Sequence, residues 1–501
     1  MPGSPRPSAA APPLLGGYGR GVAWTYLSVV ATGASTFFLA GWTIRRVGPA
    51  EYGQFAVVLS VAGLLAVFDY AMGLAVQRAS ARVERDAVHA AHGAYAALGL
   101  VTAGLTGLAV VGVSLAGPAR MPRLAAVVAL LGLATALQVA TAALPAVAAG
   151  TRRFSLRTTA TLAGVAVRVA VAVLAVGRWG VAGLALAHLL GMAADRLVLV
   201  RLLRRRVPWF VARPGRPDRP ALRAVVAYAL PLLVLNVSGQ LLAVSDLVVV
   251  GALVGASAAG LYQLATLLPL QVAGFLMVGY NVAFPSLAGT DDAAGQEGAT
   301  AFLTRSFAFV GGTALALAAF LRTDVVDVLL GRPSGLAGTV LVVFCAVSLA
   351  NLVLHGLTSV LIARGDQAVM ARVVAIELPV NLVLTVALVV AFGATGAAVA
   401  TLATVVLMDF VVFPVVTRHR FARPALDTVA RHGLLPAAAG AVLAGAAAAL
   451  ATAVAGPGAP RLVLGALAAA ALAGGAGLLL LGTSGRRTLR HALAPAPAVA
   501  S

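Results

Sequence analysis

The most informative segment of the chain reads RRVGPAEYGQFA and occupies residues 45–56. It lies between two long apolar runs, and its Gly-Pro pair, beginning at Gly48, is expected to separate two helices. Gly255 and Gly260 repeat the spacing of Gly48 and Gly53, each 207 positions further along the chain and again between two apolar runs. This echo predicts two related halves joined in the middle of the chain.

The composition predicts a membrane protein. The chain has 501 residues, of which 61% are hydrophobic and 10% are charged, and its mean hydropathy is +0.98. A soluble domain has about half apolar and about a quarter charged residues. Apolar runs of about 18 residues or more recur along the chain, as is typical of transmembrane helices. We therefore predict an all-α polytopic membrane protein of about fourteen transmembrane helices, with two pseudo-repeated six-helix lobes plus two C-terminal helices.

The predicted helices each have about 20 residues or slightly more, the length that a bilayer core requires. They cover residues 21–43, 53–77, 91–115, 124–148, 158–177, 181–201, 224–250, 260–288, 301–321, 337–363, 372–392, 395–417, 434–455 and 461–482. The predicted organisation is a disordered tail (1–17), an N-lobe (18–203), a basic linker (204–223), a C-lobe (224–420), helices thirteen and fourteen (421–485) and a second tail (486–501).

A second echo supports the duplication. Gly180 and Gly183 follow the fifth predicted helix, and Gly393 and Gly396 follow the eleventh at the same spacing. The offset is 213 positions, close to that of the first echo. Parallel repeats around a central cavity are a recurring transporter design. The halves are therefore expected to form two lobes around a cavity.

The arginine distribution predicts the topology. The 36 basic residues are all arginine, and with the heavy use of Ala, Gly and Pro this indicates a GC-rich bacterial genome. With the N-terminus in the cytoplasm, 26 arginines fall in cytoplasmic tails and loops and eight in outer loops, as the positive-inside rule requires. We therefore expect a bacterial cytoplasmic membrane protein with both termini in the cytoplasm and no cleaved signal peptide. The net charge of +20 records this topology and does not indicate a nucleic-acid partner.

The missing lysine excludes several functions. A P-loop needs a lysine on the nucleotide phosphates, and retinal or pyridoxal phosphate sites need a lysine Schiff base. The single cysteine, Cys345, excludes an intramolecular disulfide and a cysteine-cluster metal site. His89 and His92 have metal-like spacing but lack a third ligand in the sequence nearby. No cofactor and no metal site are expected.

Several segments resemble the polysaccharide-repeat (Wzx-type) oligosaccharide flippases of the multidrug/oligosaccharidyl-lipid/polysaccharide exporter (MOP) superfamily. The resemblance rests on residues 45–56, on Phe68–Leu74 followed by Arg78, on Ser245–Leu247 with Gly255, Gly260 and Tyr262, and on Asn381 followed by Gly393 and Gly396. It covers most of residues 20–420. It implies a V-shaped pair of six-helix lobes that flips undecaprenyl-diphosphate-linked oligosaccharides outward through the bilayer.

Four arginines are candidates for binding the diphosphate or head group. Arg168 lies near the centre of the fifth predicted helix, where an ionisable group is costly and its guanidinium can form two hydrogen bonds to a phosphate. The alternative for Arg168 is a buried ion pair with an acidic partner such as Asp195 or Asp246. The other three candidates are Arg45 and Arg46 on the outer side, which can also anchor to lipid phosphates, and Arg78 in the resembling motif.

Four further residues are candidates for a coupling H+ or Na+. Asp69 and Asp246 are carboxylates inside predicted helices, and Glu377 and Asn381 are four positions apart and share one helix face. The alternative for each aspartate is an inter-helix pair. For Glu377 the alternative is neutralisation by Arg372.

The sequence leaves three functional hypotheses. The first is a flippase of lipid-linked oligosaccharide that works by alternating access in the bilayer; the second is a cation-coupled drug or metabolite antiporter of the same superfamily. A membrane polysaccharide polymerase is less favoured, because the predicted outer loops are short and nearly free of acids, and no enzyme activity is expected. A cavity with several arginines favours the flippase, whereas an acidic and aromatic cavity favours the antiporter.

Overall fold

The computed structural model describes residues 18–65, 73, 76–80, 82–116, 122–211, 219–288, 293–363, 366–419 and 425–480. Almost all of these residues are helical. The helices, numbered in chain order, are α1 (Tyr18–Leu65), α2 (Arg85–Ala116), α3 (Pro122–Ala140), α4 (Ala143–Gly150), α5 (Phe154–Trp179), α6 (Val181–Arg206), α7 (Arg219–Leu253), α8 (Ala256–Ala288), α9 (Ala293–Phe320), α10 (Arg322–Leu330), α11 (Gly335–Ala363), α12 (Gln367–Phe392), α13 (Ala394–Leu407), α14 (Phe413–Thr417), α15 (Ala425–Val429), α16 (Leu435–Val454) and α17 (Ala459–Leu480). The π-helical turns Met408–Val412 and Ala430–Leu434 join α13 to α14 and α15 to α16.

Twelve helices of the described residues are long and apolar enough to cross a membrane. The first of these spans, Ala23–Leu64, contains parts of two predicted helices, because Gly48 interrupts α1 with φ 85° and ψ 165°. The predicted helix 224–250 corresponds to α7, in which Val237–Leu253 is a shorter apolar stretch. The prediction of an all-α polytopic membrane protein is confirmed, and each predicted segment overlaps a helix.

The helices pack in two groups. In the N-lobe α5 packs along α6 and α1, and α3 packs against α2 and α6. In the C-lobe α11 packs against α8, α9 and α13, and α12 packs against α7 and α13. Helix α16 lies on α9, and α17 lies on α16. The two C-terminal membrane helices are therefore attached to the C-lobe.

The two echoed glycine segments touch each other where the lobes meet. A Cβ atom added to Gly53 would lie 1.8 Å from the carbonyl oxygen of Ala256, and one added to Gly260 would lie 2.1 Å from that of Pro49. Only glycine permits such a close backbone approach. The second half of α1 and the start of α8 therefore pack backbone to backbone, an arrangement that we call the glycine contact.

Arg45 adds a polar link between the lobes beside the glycine contact. Its Nε donates to the carbonyl oxygen of Leu329 at 3.0 Å, and its Nη2 donates to that of Asp327 at 3.3 Å. These carbonyls belong to the last turn of α10, where the helix dipole favours a cation. A salt bridge between Arg123 and Glu51 at 2.9 Å holds α3 to α1 at the same end.

The molecule has two chemically different ends. Gly180 joins α5 to α6 and lies against Glu51, close to the glycine contact. Each of the two helices has 26 residues, hence a length of about 39 Å. Their far ends carry Arg152, Arg153 and the exposed arginines 204–206. We call these two ends the glycine end and the basic end.

The apolar cores show how the lobes are joined. One core cluster includes side chains of both lobes near the glycine end, among them Tyr52 of α1 and Leu264 of α8. Towards the basic end the described core clusters belong to single lobes: Tyr95 and Leu199 lie in an N-lobe cluster, and Phe413 lies in a C-lobe cluster. The lobes therefore share an apolar core at the glycine end, and towards the basic end Tyr26 of α1 still packs against Phe275 of α8, with ring centroids 4.8 Å apart.

Backbone geometry supports the pseudo-repeat. Gly180 between α5 and α6 has φ 57° and ψ −136°, and Gly393 between α12 and α13 has φ 62° and ψ −151°. Gly48 and Gly255 also both have positive φ, 85° and 117°. Such conformations favour glycine. The glycines that echo in the sequence therefore occupy similar turns in both lobes.

Candidate functional site

A cavity of about 600 Å³ lies among α1, α3, α4, α5, α6 and α7. Its volume is within the range of about 300–1,000 Å³ that small-molecule sites occupy. Arg157, Arg168 and Arg196 line it together with the single carboxylate Asp195, and Gln240 of α7 contributes from the C-lobe. We call it the arginine cavity. Its three cations and one anion make it suited to a negatively charged ligand.

Close packing of α5 on α6 places these charged groups together. A Cβ added to Gly164 would lie 2.8 Å from Cβ of Asp195, and one added to Gly191 would lie 2.7 Å from Cβ of Arg168. Both glycines therefore let the helices approach where these side chains begin. Arg157, Gly164 and Arg168 fall at i, i+7 and i+11 on one face of α5, so this face lines the cavity.

Arg168 is bound by neutral groups. Its Nη2 donates hydrogen bonds to the hydroxyl oxygens of Ser35 and Thr36 on α1, the latter at 3.2 Å. Neither acidic partner considered from the sequence forms an ion pair with it: Asp195 pairs with Arg196 at 3.2 Å, and Asp246 lies in the C-lobe. The positive charge of Arg168 therefore has no carboxylate partner within the described residues.

Two guanidinium groups in the cavity keep an unused donor. The Nε atoms of Arg168 and Arg196 are both buried and make no hydrogen bond. Buried polar groups of folded proteins are paired in the great majority of cases. Both Nε atoms are shielded from the cavity, so the feature that suits an anion is the set of arginines in its lining, of which Arg168 has no carboxylate partner within the described residues.

A smaller cavity of about 190 Å³ lies beyond Arg168 towards the glycine end. Its residues, which define the aromatic chamber, are Thr36, Leu39, Ala40, Tyr52, Phe55, Ala56, Leu59, Ser60, Arg168, Leu184, His188, Gln263 and Leu267. Arg168 and His188 line both cavities. Tyr52 precedes Gly53 in the chain, and Gln263 is one helical turn from Gly260, so the chamber lies next to the glycine contact.

The C-lobe contains a buried acidic group in a ring of hydroxyls. Asp246 of α7 is 4% exposed. It accepts hydrogen bonds from Tyr262 at 3.1 Å, from Thr385 at 3.0 Å and from Thr401. Within the described residues no cation forms a salt bridge with it. We call these four residues the Asp246 cluster, and its buried carboxylate lacks a counter-charge.

The candidates on α12 lie beside this cluster. Asn381 is 2% exposed, and its Oδ1 accepts a hydrogen bond from Ser245 at 3.5 Å. Glu377, one helical turn away, interacts electrostatically with Asp409 in the π-helical turn 408–412. Arg372 and Glu377 form no salt bridge in this part of the structure, so the neutralisation considered from the sequence is not seen.

The remaining candidates lie apart from both cavities or outside the described residues. Arg45 contacts α10, as described above, and Arg46 stacks over the ring of Trp42 at 4.6 Å, a cation–π arrangement. Arg78 is exposed near the basic end. Asp69 lies outside the described residues. Roles of Arg45, Arg46 and Arg78 in head-group binding, and of Asp69 in ion coupling, stay predictions.

Sequence reasoning did not single out several members of these sites. Arg157 counted only as a topology marker, and the hydroxyls of Tyr262, Thr385 and Thr401 received no role. The periodic face of α5 is a signal that points to Arg157. The hydroxyls have no such signal, because Thr385 and Thr401 are 139 and 155 positions from Asp246.

The comparison with protein families assigns the chain. Residues 44–333 match the family described as "Polysaccharide biosynthesis protein". This match covers more than half of the chain. The protein belongs to the polysaccharide biosynthesis protein family. No curated protein matches the chain in sequence. This family match, together with the fold that the chain shares with solved MOP transporters, confirms the resemblance to polysaccharide-repeat flippases.

Solved structures share the fold of this family member. The lipid II flippase MurJ in an inward closed conformation aligns with a TM-score of 0.68 at 13% identity, covering 94% of this chain and 100% of that one. An inward-facing multidrug resistance MATE family transporter of the MOP superfamily aligns with a TM-score of 0.61 at 13% identity, covering 81% of this chain and 96% of that one. A MOP superfamily transporter from Pyrococcus furiosus aligns with a TM-score of 0.56 at 14% identity, covering 83% and 96%. The chain is thus a multi-pass membrane protein with the fold of MOP transporters.

Proposed function

We propose that the protein flips undecaprenyl-diphosphate-linked oligosaccharide units from the inner to the outer leaflet of a bacterial cytoplasmic membrane by alternating access, for cell-surface polysaccharide synthesis. The observation that carries this proposal is the arginine cavity, in which three arginines accompany one carboxylate and Arg168 is bound by hydroxyl groups only. Membership of a polysaccharide biosynthesis family supports the oligosaccharide part of the proposal.

A diphosphate matches the cavity in charge and hydrogen bonding. Arginine binds phosphate oxygens through two parallel N–H groups, and charge-assisted bonds of this kind are about twice as strong as neutral ones. Asp195 offsets the charge of Arg196 through their salt bridge, whereas Arg168 in the same lining has no carboxylate partner within the described residues. A diphosphate inside a bilayer needs such compensation, because an unpaired charge is costly there.

The position of the arginine cavity supports access from the basic end. Its lining includes Arg157 in the first turn of α5, close to Arg152 and Arg153 of the basic end, whereas the aromatic chamber lies between Arg168 and the glycine contact. The positive-inside rule assigns the basic end to the cytoplasm. Substrate therefore enters the arginine cavity from the cytoplasmic side, and separation of the glycine contact then opens the cavity to the outer side.

The Asp246 cluster is the proposed coupling site. One carboxylate, three hydroxyl oxygens and the nearby Asn381 amide form an oxygen-rich group around a buried negative charge. Hard cations prefer oxygen ligands, and a buried carboxylate can also take up a proton. The coupling ion is accordingly H+ or Na+. The same feature favours a second candidate function, a cation-coupled antiporter of drugs or metabolites.

A transport assay separates the two functions. Purified protein in proteoliposomes is given labelled polyprenyl-diphosphate sugar, with and without an H+ or Na+ gradient, and cationic drugs in parallel. We expect transport of the lipid by wild type, and loss of about 100-fold in Arg168→Ala, because charged hydrogen bonds in a buried site contribute several kcal/mol. Arg178→Ala is the matched control, since Arg178 is exposed on the same helix. The flippase proposal is wrong if wild type moves drugs but not the lipid, and the role of Arg168 is wrong if Arg168→Ala transports like wild type.

A further inference from the structure

We infer that the aromatic chamber is a subsite for the first sugar of the head group, and that Gln263 helps to select that sugar. This inference rests on the proposed function, because it assumes that a diphosphate occupies the neighbouring arginine cavity. The chamber has its own lining, and Arg168 and His188 are the residues shared with the larger cavity.

The position of the chamber fits a group bonded directly to a diphosphate. Arg168 forms part of the wall between the two cavities and would contact the phosphates from the side of the larger one. In a lipid-linked saccharide the first sugar is attached to the second phosphate. A diphosphate held at Arg168 therefore places its first sugar next to the chamber.

The lining of the chamber matches a single sugar ring. Tyr52 and Phe55 are buried aromatic residues, 5% and 6% exposed, and aromatic rings pack against the C–H face of a pyranose. Thr36, Ser60 and Gln263 supply hydroxyl and amide groups for the sugar hydroxyls. A mostly apolar wall with a few placed polar groups is the usual composition of a selective small-molecule site.

The same features make the other parts of the lipid-linked substrate unsuitable occupants of the chamber. A second phosphate would find Arg168 as its one arginine in the chamber, whereas the larger cavity offers three. The long lipid tail does not fit a volume of about 190 Å³. The sugar is the remaining part of the substrate that is uncharged, compact and polar at its rim.

The chamber also connects sugar recognition to the contact between the lobes. Gln263 and Leu267 belong to α8 of the C-lobe, whereas Tyr52, Phe55 and Arg168 belong to the N-lobe. Gln263 lies one turn and Leu267 two turns beyond Gly260 of the glycine contact. A sugar in the chamber would therefore touch both lobes directly beside the place where they must separate.

Binding measurements with and without the sugar test this inference. The protein in nanodiscs is titrated with a short-chain polyprenyl diphosphate, and with the same lipid carrying one glucose, one galactose or one N-acetylglucosamine. We expect at least one sugar-bearing lipid to bind more tightly than the bare diphosphate. Gln263→Ala should lower the affinity for the preferred sugar-bearing lipid about tenfold, the effect of one or two lost hydrogen bonds. Its affinity for the bare diphosphate should stay unchanged.

Gln271→Ala is the matched control, because Gln271 lies two turns further along α8 and lines neither cavity. The inference is overturned if no sugar raises the affinity of wild type, or if Gln263→Ala weakens the bare and the sugar-bearing lipid equally. Failure of wild type to bind any diphosphate lipid would overturn the proposed function as well. Binding of the bare lipid without a sugar preference would overturn the subsite alone.

Discussion

The two lobes carry opposite chemistry at corresponding places. Arg168 and Asn381 are separated by 213 positions, the same offset as Gly180 and Gly393, so they occupy equivalent positions in the two halves. Arg168 contacts Ser35 on the first helix of its lobe, and Asn381 contacts Ser245 on the first helix of the other lobe. The N-lobe version of this contact lies in a cationic cavity, and the C-lobe version lies beside the buried carboxylate of Asp246.

The difference lies in the charge of the two sites. The lining of the arginine cavity contains three arginines and one carboxylate, and there is room for a ligand. In the Asp246 cluster three hydroxyls donate to the carboxylate, which has no cationic partner among the residues that the structure describes. Under the proposed function, the arginine cavity binds the anionic lipid and the Asp246 cluster binds the coupling cation.

The largest expected effect comes from neutralising the C-lobe site. Asp246→Asn keeps the shape of the side chain. Its amide oxygen can still accept hydrogen bonds from Tyr262 and Thr401, and its amide nitrogen can donate to the hydroxyl oxygen of Thr385, so the protein should fold. We expect complete loss of stimulation by an H+ or Na+ gradient, while binding of the diphosphate lipid is unchanged. Transport in proteoliposomes at several gradients measures the gradient stimulation, and titration with the diphosphate lipid measures its binding.

Asp427→Asn is the control for this variant, since Asp427 forms a salt bridge with Arg431 near the start of the C-terminal helices and not in the cluster. If an ion gradient stimulated transport by Asp246→Asn as strongly as transport by wild type, Asp246 would not be the site of the coupling cation. A parallel loss of lipid binding would show that the two sites are not chemically separate, and the contrast between the lobes would then fail.

A smaller effect is expected where the lobes meet. Gly260→Ala places a Cβ atom 2.1 Å from the carbonyl oxygen of Pro49, so α1 and α8 must move apart. Overpacking of this kind costs about 1–3 kcal/mol, which shifts the balance from closed to open at the glycine end by about fivefold to a hundredfold or more. The arginine cavity and the Asp246 cluster should then become accessible from the glycine end, although no residue of either has been changed.

Spin labels at positions 179 and 320, in a Cys345→Ser background, measure this shift as a longer distance across the glycine end. Both positions are exposed, at the ends of α5 and α9. Gly274→Ala on α8 is the control, because a Cβ there would meet no atom within 4 Å. An unchanged distance distribution in Gly260→Ala would mean that the glycine contact does not control the separation of the lobes.

Much of the fold was accessible from sequence because it depends on local signals. Hydropathy located the membrane helices, and the glycine spacing revealed the echo, since turns with positive φ restrict the residue type locally. The sequence could not show that the echoed segments touch. Gly53 and Gly260 meet through the packing of α1 on α8, and nothing in either segment alone specifies its partner.

The candidate sites were accessible only in part. Arg168 and Asp246 stood out because a charge in the middle of an apolar helix is costly. Their surroundings did not stand out, because Ser35, Thr385 and Thr401 are ordinary residues in membrane helices and their hydroxyls usually bond within their own helix. Contacts between helices distant in sequence decided which hydroxyls face the charges.

The smallest expected effect separates positioning from binding in the two lobes. The double variant Ser35→Ala and Thr36→Val removes the hydroxyls that hold Arg168, and we expect about a fivefold loss of diphosphate affinity, the effect of about 1 kcal/mol. Ser245→Ala removes the equivalent contact to Asn381, and it should change the gradient dependence of transport by a similar factor without affecting the affinity. Thr159→Val, at an exposed position of α5, should change neither quantity. A loss in the double variant as large as that in Arg168→Ala would mean that the hydroxyls themselves bind the substrate, and an affinity loss in Ser245→Ala would mean that the two lobes share one site.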